Sequence, residues 1–466
     1  MARLDDPRTS RRTARRSVRR VLAASVAAVG FLVVGLGLST VALSGLRQPA
    51  AGPDSAALAS PSADQSASPS TAPQASPAAS PDPTADPTPD PTPPPIEGPT
   101  RSEVRTAAVR ERLDARLDVV RTRLGIPGVS VTIIFRDGSA WTGTSGFADV
   151  AAKIDVTPNT AFAITSVSKT YTAALILDLV RDGKIGLDTP ALTYLPGSAL
   201  DKRITIRQLL EHTSGLDDYF LHPPIDKALL ADRDASWSVK RTLKYVGKPY
   251  FPPGRGWHYS NTNYLYLGLI ADRVTGASVA SELRKRFFEP LGLAGTWYQA
   301  VEKPSGPLAH GYRFSGPQPA NPPIDLSAKS AVAPFRSVVT AAGGAGSIAA
   351  TSSDVARWAR LLYEGEVLGP DMTAEMLDGV ADTALYRPRV PYGLGVQAFP
   401  ITGRLALGHS GRLLGFRSAV RHLPSEALTI AVLTNQSRTD PAVIVNDLLA
   451  IVFAPEPSCF RCQQPS

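Results

Sequence analysis

Ser166 and Lys169 stand three residues apart in Ser166-Val167-Ser168-Lys169, where the extended-reading Phe162-Ala163-Ile164 gives way to a helical pattern. On a helix, residues three apart share a face, so the Lys169 ammonium can reach the Ser166 hydroxyl. A hydroxyl is a weak nucleophile until a base takes its proton, and a partly desolvated lysine can do so once neutral. First-turn amides lack an intrahelical partner, which leaves the Ser166 N–H for a developing oxyanion. The chain holds no other S-x-x-K. The plain alternative is a serine N-cap followed by a surface lysine.

Two further triplets carry chemistry. Tyr259-Ser260-Asn261 follows an irregular PPGRGW and precedes an apolar helical run, so a short loop would present Tyr259 and Asn261 to a cleft. A phenol titrates near 10, and beside Lys169 its phenolate is favoured, allowing proton relay to a leaving group. A core tyrosine with a helix-capping asparagine is the competing reading. His409-Ser410-Gly411 follows the strand-like RLALG and precedes Arg412. A strand edge there would pair with an extended substrate, with the Arg412 N–H as second oxyanion donor. An ordinary strand-end histidine is its alternative.

The elements that must hold these groups run from about residue 101 to 455. Residues 101–125 place Val104, Val109, Leu113, Leu117 and Val120 at helical spacing. GVSVTIIFRDG and SAWTGTSGFA read as a strand pair turning at Asp137-Gly138. A helix over 166–183 ends at Gly183, and Pro-interrupted, partly helical sequence continues to about 335. A helix over 352–364 comes next, then strands near 392–399, 404–408, 416–423 and 427–434, then a helix near 440–453. Strands at both ends with helices between predict an α+β fold. A central antiparallel sheet is built from both chain ends and flanked by helices, with an all-helical lobe beside it.

Together the three motifs resemble the penicillin-recognising serine hydrolases: class C β-lactamases, serine D-alanyl-D-alanine carboxypeptidases and related esterases. These use S-x-x-K, Y-x-N and K/H-[ST]-G in this chain order. LLEHTSG at 209–215, GGAGS at 343–347 followed by TSSDVARWARLL, and YGLGV at 392–396 match further landmarks. The likeness spans about residues 105–453. YSNTNY, HSG, DKRITIRQLLEHTSGLDDY and LTYLPG are most similar to actinobacterial-type D-Ala-D-Ala carboxypeptidases.

The resemblance implies a β-lactamase/transpeptidase-like fold and a two-step reaction through an acyl-enzyme, with no metal or organic cofactor. It makes Ser166 the nucleophile, Lys169 its base, Tyr259 the proton shuttle and His409 the group tuning Tyr259. Asn261 would hold the substrate amide, Ser410 would contact a substrate carboxylate, and Gly411 and Arg412 complete the binding edge. Gln397 stands where some carboxypeptidases carry a carboxylate-gripping arginine, with Arg412 or Arg404 as replacements. Thr165 stands where many members have glycine, a change expected to affect local packing. The expected substrate is a small peptide, ester or β-lactam, with cell-wall peptidoglycan as its source. The leading function is a D-Ala-D-Ala carboxypeptidase-type peptidase. Its competitors are an esterase or β-lactamase of the same family, and a catalytically weak binder of cell-wall fragments.

The first hundred residues have a different texture. Of 466 residues, 19% are charged, and the net charge is +8. Eight arginines between Arg3 and Arg20, against Asp5 and Asp6, hold +6 of it, so no basic face for nucleic acid is expected on the main body. Residues 21–46 carry no charge and as a helix would extend roughly 39 Å, more than the ~30 Å of a bilayer core. They read as an uncleaved signal anchor; the competitor is a cleaved leader with Ala42 and Ser44 near the cut. The cluster at 1–20 would stay cytoplasmic, giving a single-pass membrane protein with its catalytic domain outside. Residues 47–100, where 15 of the 42 prolines fall between 49 and 99, read as a disordered Pro/Ser/Ala-rich stalk. Cys459 and Cys462 form a C-x-x-C in the 456–466 tail, expected to be a short disulfide rather than a zinc or redox site. His212 and Thr213 read as a turn, and His222, His258, His310 and His422 as structural. Trp237, Trp257 and Trp297 either line the cleft or pack in the core.

Overall fold

The computed structural model describes residues 101–314, 323–327, 331–378 and 391–454, with the side chains of 101–106, Val104 included, left aside. The expected tail, anchor, stalk and C-x-x-C lie outside the described residues. Among the described residues no helix is long and apolar enough to cross a membrane.

The strands are β1 (Gly128–Ile134), β2 (Ala140–Asp149), β3 (Ile154–Asp155), β4 (Phe162–Ala163), β5 (Thr296–Tyr298), β6 (Tyr312–Arg313), β7 (Ile324–Asp325), β8 (Ile348–Ala350), β9 (Gln397–Ile401), β10 (Arg404–Leu413), β11 (Phe416–Leu423) and β12 (Leu428–Thr434). The principal helices are α1 (Arg101–Leu124), α2 (Ser168–Arg181), α3 (Ile206–Leu210), α4 (Pro223–Ala231), α5 (Asn261–Thr275), α6 (Arg336–Ala342), α7 (Ser352–Tyr363), α8 (Pro370–Asp378) and α9 (Ala442–Val452). Seven strands form one sheet in the order β3-β2-β1-β12-β11-β10-β9, every neighbouring pair antiparallel. The first and last long strands meet at its centre, Val129 opposite Thr434.

Strand alternation divides the sheet between two cores. Val129, Val131 and Ile133 pack with Leu113, Leu117 and Val120 of α1 and with Ile444, Val445, Leu448 and Leu449 of α9. The intervening Ser130 and Thr132 point to the other face, where each hydroxyl lies 2.8 Å from Ser352 Oγ at the start of α7. On that face Val420, Ala431 and Leu433 join a second core built on α2, whose residues from Ser168 to Leu179 are all buried. A third cluster, centred on Tyr219, Ile225, Trp237 and Phe335, belongs to the helical lobe. The α+β architecture expected from the sequence is the one observed.

The strand expected near 392–399 is displaced. Only a bridge joins Tyr392 to Gln397, and regular pairing starts at Gln397. Gly395 at φ +83 and the bond from the Gly393 amide to the Val396 carbonyl turn the chain there. This turn buries Leu394 and brings Tyr392 to the cleft.

Candidate active site

Helix α2 starts immediately after a 3-10 turn at Thr165–Val167, so Ser166 sits half-buried at the amino end of the molecule's central helix. The turn is tightly held. Thr165 has φ 53, a left-handed conformation that costs a β-branched residue about 1–3 kcal/mol and persists only where the surroundings over-determine it. Those surroundings are β10 and β11. Ser418 Oγ donates to the Ile164 carbonyl at 2.7 Å. A Cβ added at Gly411 would lie 1.9 Å from Thr165 Oγ1 and 2.7 Å from the Ile164 carbonyl oxygen. Thr165 therefore changes more than packing: it puts backbone strain directly ahead of Ser166, and Gly411 is the residue that lets β10 approach.

Lys169 is fully buried one turn along, with Nζ 3.1 Å from Ser166 Oγ, 2.8 Å from Asn261 Oδ1 and 2.8 Å from the Ala345 carbonyl oxygen. An ammonium has three N–H donors, so these contacts account for all of them. Burial pulls its pKa from 10.5 down to about 7, against the opposing field of Asp218. A lysine so placed exchanges its proton near neutrality, within hydrogen-bond reach of a serine hydroxyl.

Asn261 opens α5, and its Nδ2 donates to the Asp218 carboxylate at 3.0 and 3.2 Å. Lys169, Asn261 and Asp218 thus form one polar line. Burial raises the Asp218 carboxyl above the usual carboxylate range, while its hydrogen bonds and Lys169 pull the other way. The role of Asp218 was not read from the sequence; the Asp217-Asp218 pair directly after HTSGL was its only signal.

The Tyr259 ring lies 5.0 Å from Lys169 Nζ and 4.4 Å from the His212 ring. His212, at φ 67, makes the expected turn, and its Nδ1 accepts from the Ser260 amide at 3.2 Å and from Asn263 Nδ2 at 2.9 Å. Burial holds it neutral, far below the ordinary histidine range.

His409 lies across the cleft, its ring 6.3 Å from that of Tyr259. Its Nδ1 is 2.6 Å from the Ser410 carbonyl oxygen and its Nε2 3.0 Å from the Tyr392 hydroxyl. The carbonyl can only accept, so Nδ1 carries the hydrogen and Tyr392 donates to Nε2. Burial, reinforced by Lys169, lowers the His409 pKa to about 3, so the imidazole is neutral at physiological pH.

On β10, Ser410 is half-buried, and its amide donates to Gln397 Oε1 at 2.9 Å. That amide points to the β9 side, where pairing stops at Gly408 with Gln397. By alternation the exposed Arg412 turns its own N–H to the same open edge. Arg404 points elsewhere: its Nε donates to Glu426 at 2.8 Å and its guanidinium stacks on Phe453. The residue the sequence reading missed is Arg421 in β11. It is buried and donates from Nη2 to Ser410 Oγ at 2.7 Å, and burial lowers its pKa to about 10. A charged residue at an inward position of the strand FRSAVRHL was the available signal.

Of the remaining histidines, His222 pairs with Asp217, His258 Nδ1 lies 2.9 Å from the Tyr259 carbonyl, and His422 Nδ1 lies 2.9 Å from Thr429 Oγ1. His310 stands between Asp325 at 2.8 Å and Asp149 at 3.6 Å, tying the β6–β7 hairpin to β2. Trp257 borders the cleft, 5.8 Å from the Tyr392 ring, whereas Trp237 and Trp297 pack in separate clusters.

Fold and site together define a serine hydrolase of the β-lactamase and penicillin-binding-protein class. The chain belongs to the Beta-lactamase family, whose model matches residues 108–453. It is 32% identical over 346 residues to penicillin-binding protein 4 of Amycolatopsis lactamdurans, covering 69% of this chain and 84% of that one. It is 28% identical to a D-aminopeptidase of Gluconobacter oxydans over 76% of this chain but 64% of that protein's length. Among solved structures, a D-stereospecific amidohydrolase from Streptomyces sp. superposes with a TM-score of 0.62 at 27% identity, over 75% of this chain and 98% of its own. A D-amino acid amidase from Ochrobactrum anthropi SV3 shares the fold, with a TM-score of 0.65 at 24% identity, over 74% of this chain and 99% of its own.

Proposed function

We propose that this chain cleaves amide bonds next to D-amino acids through an acyl-enzyme on Ser166, as a carboxypeptidase-type peptidase on cell-wall stem peptides. The contact that carries this reading is Lys169 Nζ, fully buried and 3.1 Å from Ser166 Oγ, with a pKa near neutrality. Neutral Lys169 takes the Ser166 proton as Oγ bonds to the scissile carbonyl carbon. The oxyanion is held by the Ser166 and Arg412 amides. Collapse breaks the C–N bond, and the leaving amine takes a proton through Tyr259. Water then attacks the ester, gives its proton back through the same groups and releases Ser166 and a carboxylic acid. The neutral His409 acts here as a polar wall bonded to Tyr392.

The likeness to penicillin-binding protein 4 supports a cell-wall substrate. The chain would work on the outer side of the membrane, anchored by residues 21–46 and spaced from it by residues 47–100. The likeness to a D-stereospecific amidohydrolase favours a second reading, hydrolysis of D-amino acid amides with the same machinery. Incubation of the full-length protein with a fluorescent penicillin tests the acyl-enzyme. Covalent label on the wild type and none on Ser166→Ala is expected. Equal label on both would remove Ser166 from its role.

A further inference from the structure

One group of ligating side chains takes no part in the hydrolase reading. Asp149 ends β2, His310 precedes β6 and Asp325 lies in β7, so three separate stretches of chain converge. His310 Nδ1 is 2.8 Å from Asp325 Oδ2 and 3.6 Å from Asp149 Oδ2, and the three atoms all lie within 4.8 Å of one another. The site is sheltered: side-chain exposure is 19% for Asp149, 25% for His310 and 21% for Asp325.

Each carboxylate is aimed by its other oxygen. Asp149 Oδ1 accepts from the amides of Ala151 and Ala152 at 2.9 and 3.0 Å, and Asp325 Oδ1 accepts from the Ser327 amide at 2.7 Å. The His310 amide donates to the Ala148 carbonyl at 2.9 Å, which fixes the ring beside Asp149. Both Oδ2 atoms therefore face one imidazole nitrogen. Its single hydrogen goes to Asp325, and at 3.6 Å Asp149 is beyond hydrogen-bond reach. Two negative oxygens share one ring donor.

A divalent ion resolves that mismatch, replacing one hydrogen with a double charge that all three atoms can contact. Donors 2.0–2.1 Å from a tetrahedral ion stand roughly 3.3 Å apart. The 2.8 and 3.6 Å separations straddle that spacing. The nitrogen decides the kind of ion. Calcium and magnesium take oxygen ligands, whereas an imidazole with two carboxylates suits zinc and its transition-metal neighbours.

We propose that Asp149, His310 and Asp325 form a binding site for one divalent transition-metal ion, with Zn2+ the best match and water completing the coordination. The ion clamps the β6–β7 hairpin to the end of β2. Tyr312 carries that clamp further: its hydroxyl accepts from the Val150 amide at 2.8 Å, and its own amide donates to the carbonyls of Asn435 at 3.0 Å and Gly415 at 3.3 Å. The ion thus steadies the junction of β2, the hairpin and the turn between β10 and β11. Its role is structural, and no step of hydrolysis passes through it.

Calorimetric titration of the metal-stripped, full-length protein with zinc chloride tests the proposal. A Cys459→Ser, Cys462→Ser background keeps the tail from taking zinc. One equivalent of Zn2+ should bind and raise the thermal midpoint by several degrees, with no such response to calcium or magnesium chloride. His310→Ala should weaken binding by roughly a hundredfold or more, and Asp325→Asn by roughly tenfold or more, since even outer partners of a metal site are worth ten- to a hundredfold. Asp325→Asn keeps the acceptor for the Ser327 amide, so it decides the matter if His310→Ala fails to fold. No stoichiometric binding by the parent chain would make the three residues an ordinary ion-pair cluster and overturn the proposal. One equivalent held as tightly by both variants would place the zinc elsewhere and overturn it too. An equal response to calcium would overturn the choice of a transition metal.

Discussion

Two buried cations flank the cleft, one at the start of α2 and one behind β10, and the same force acts on them with opposite results. Lys169 loses its water and falls from 10.5 to about 7, so at neutral pH it holds or gives up its proton with little bias. Arg421 loses its water as completely but falls from the ordinary arginine range only to about 10, so it stays charged. Desolvation disfavours the charged form of either group, and the starting point decides the outcome. Burial makes a base of the lysine and a fixed positive field of the arginine. The hydrogen-bond partners follow the same division. Lys169 faces a hydroxyl that can hand over a proton, whereas Arg421 faces carbonyls and a hydroxyl that only accept from it.

Exchanging the two kinds of cation breaks the comparison most directly. Lys169→Arg keeps a positive charge at the pocket but supplies no group that deprotonates near neutrality, and kcat should fall by roughly 10³-fold. Steady-state hydrolysis of a D-Ala-D-Ala peptide measures it, and retention of more than a tenth of wild-type kcat would assign the base to another residue.

The pH dependence sharpens the contrast. The Lys169 pKa is depressed and the base form is the neutral one, so kcat/KM should rise through about pH 7 and drop roughly tenfold per unit on the acid side. A rate profile from pH 5 to 9 that is flat through 7 would separate catalysis from Lys169.

The smallest effect concerns the arginine's cover. Phe399→Leu removes the ring stacked on Arg421 and should cost about 1 kcal/mol of stability, read as a lower denaturant midpoint at unchanged slope. An unaltered midpoint would mean that the ring adds nothing to holding the charge.

The legible parts of the molecule depend on local spacing. The three-residue step from Ser166 to Lys169 sets their shared helix face without reference to the rest of the chain. The stripe of Leu113, Leu117 and Val120 marks the buried face of α1 in the same way. The order of the three motifs carried the resemblance and with it the cleft. Arg421 escaped because its meaning lies in register: it becomes a partner of Ser410 only once β11 is aligned with Gly408 of β10. Asp218 likewise gains its task from Asn261, 43 residues away. The His409 motif was visible, but its protonation was not, since neutrality follows from burial against Lys169 and Tyr392 rather than from neighbours in the chain. The turn at Gly393–Gly395 replaced an expected strand end because it buries Leu394 in the core.

The pairing of β1 with β12 has a consequence for how the protein is made. Val129 and Thr434 sit side by side at the centre of the sheet, although nearly the whole domain separates them along the chain. Until β12 has been synthesised, β1 has an unpaired inner edge, and the strands that carry Ser410 and Arg421 have no link to it. Contacts this distant in sequence close late and slowly. A nascent chain therefore has a complete S-x-x-K helix sequence long before it has a cleft. The cleft can assemble only once this last strand is in place, and a chain shortened by it would be left with unpaired strand edges in place of an active site.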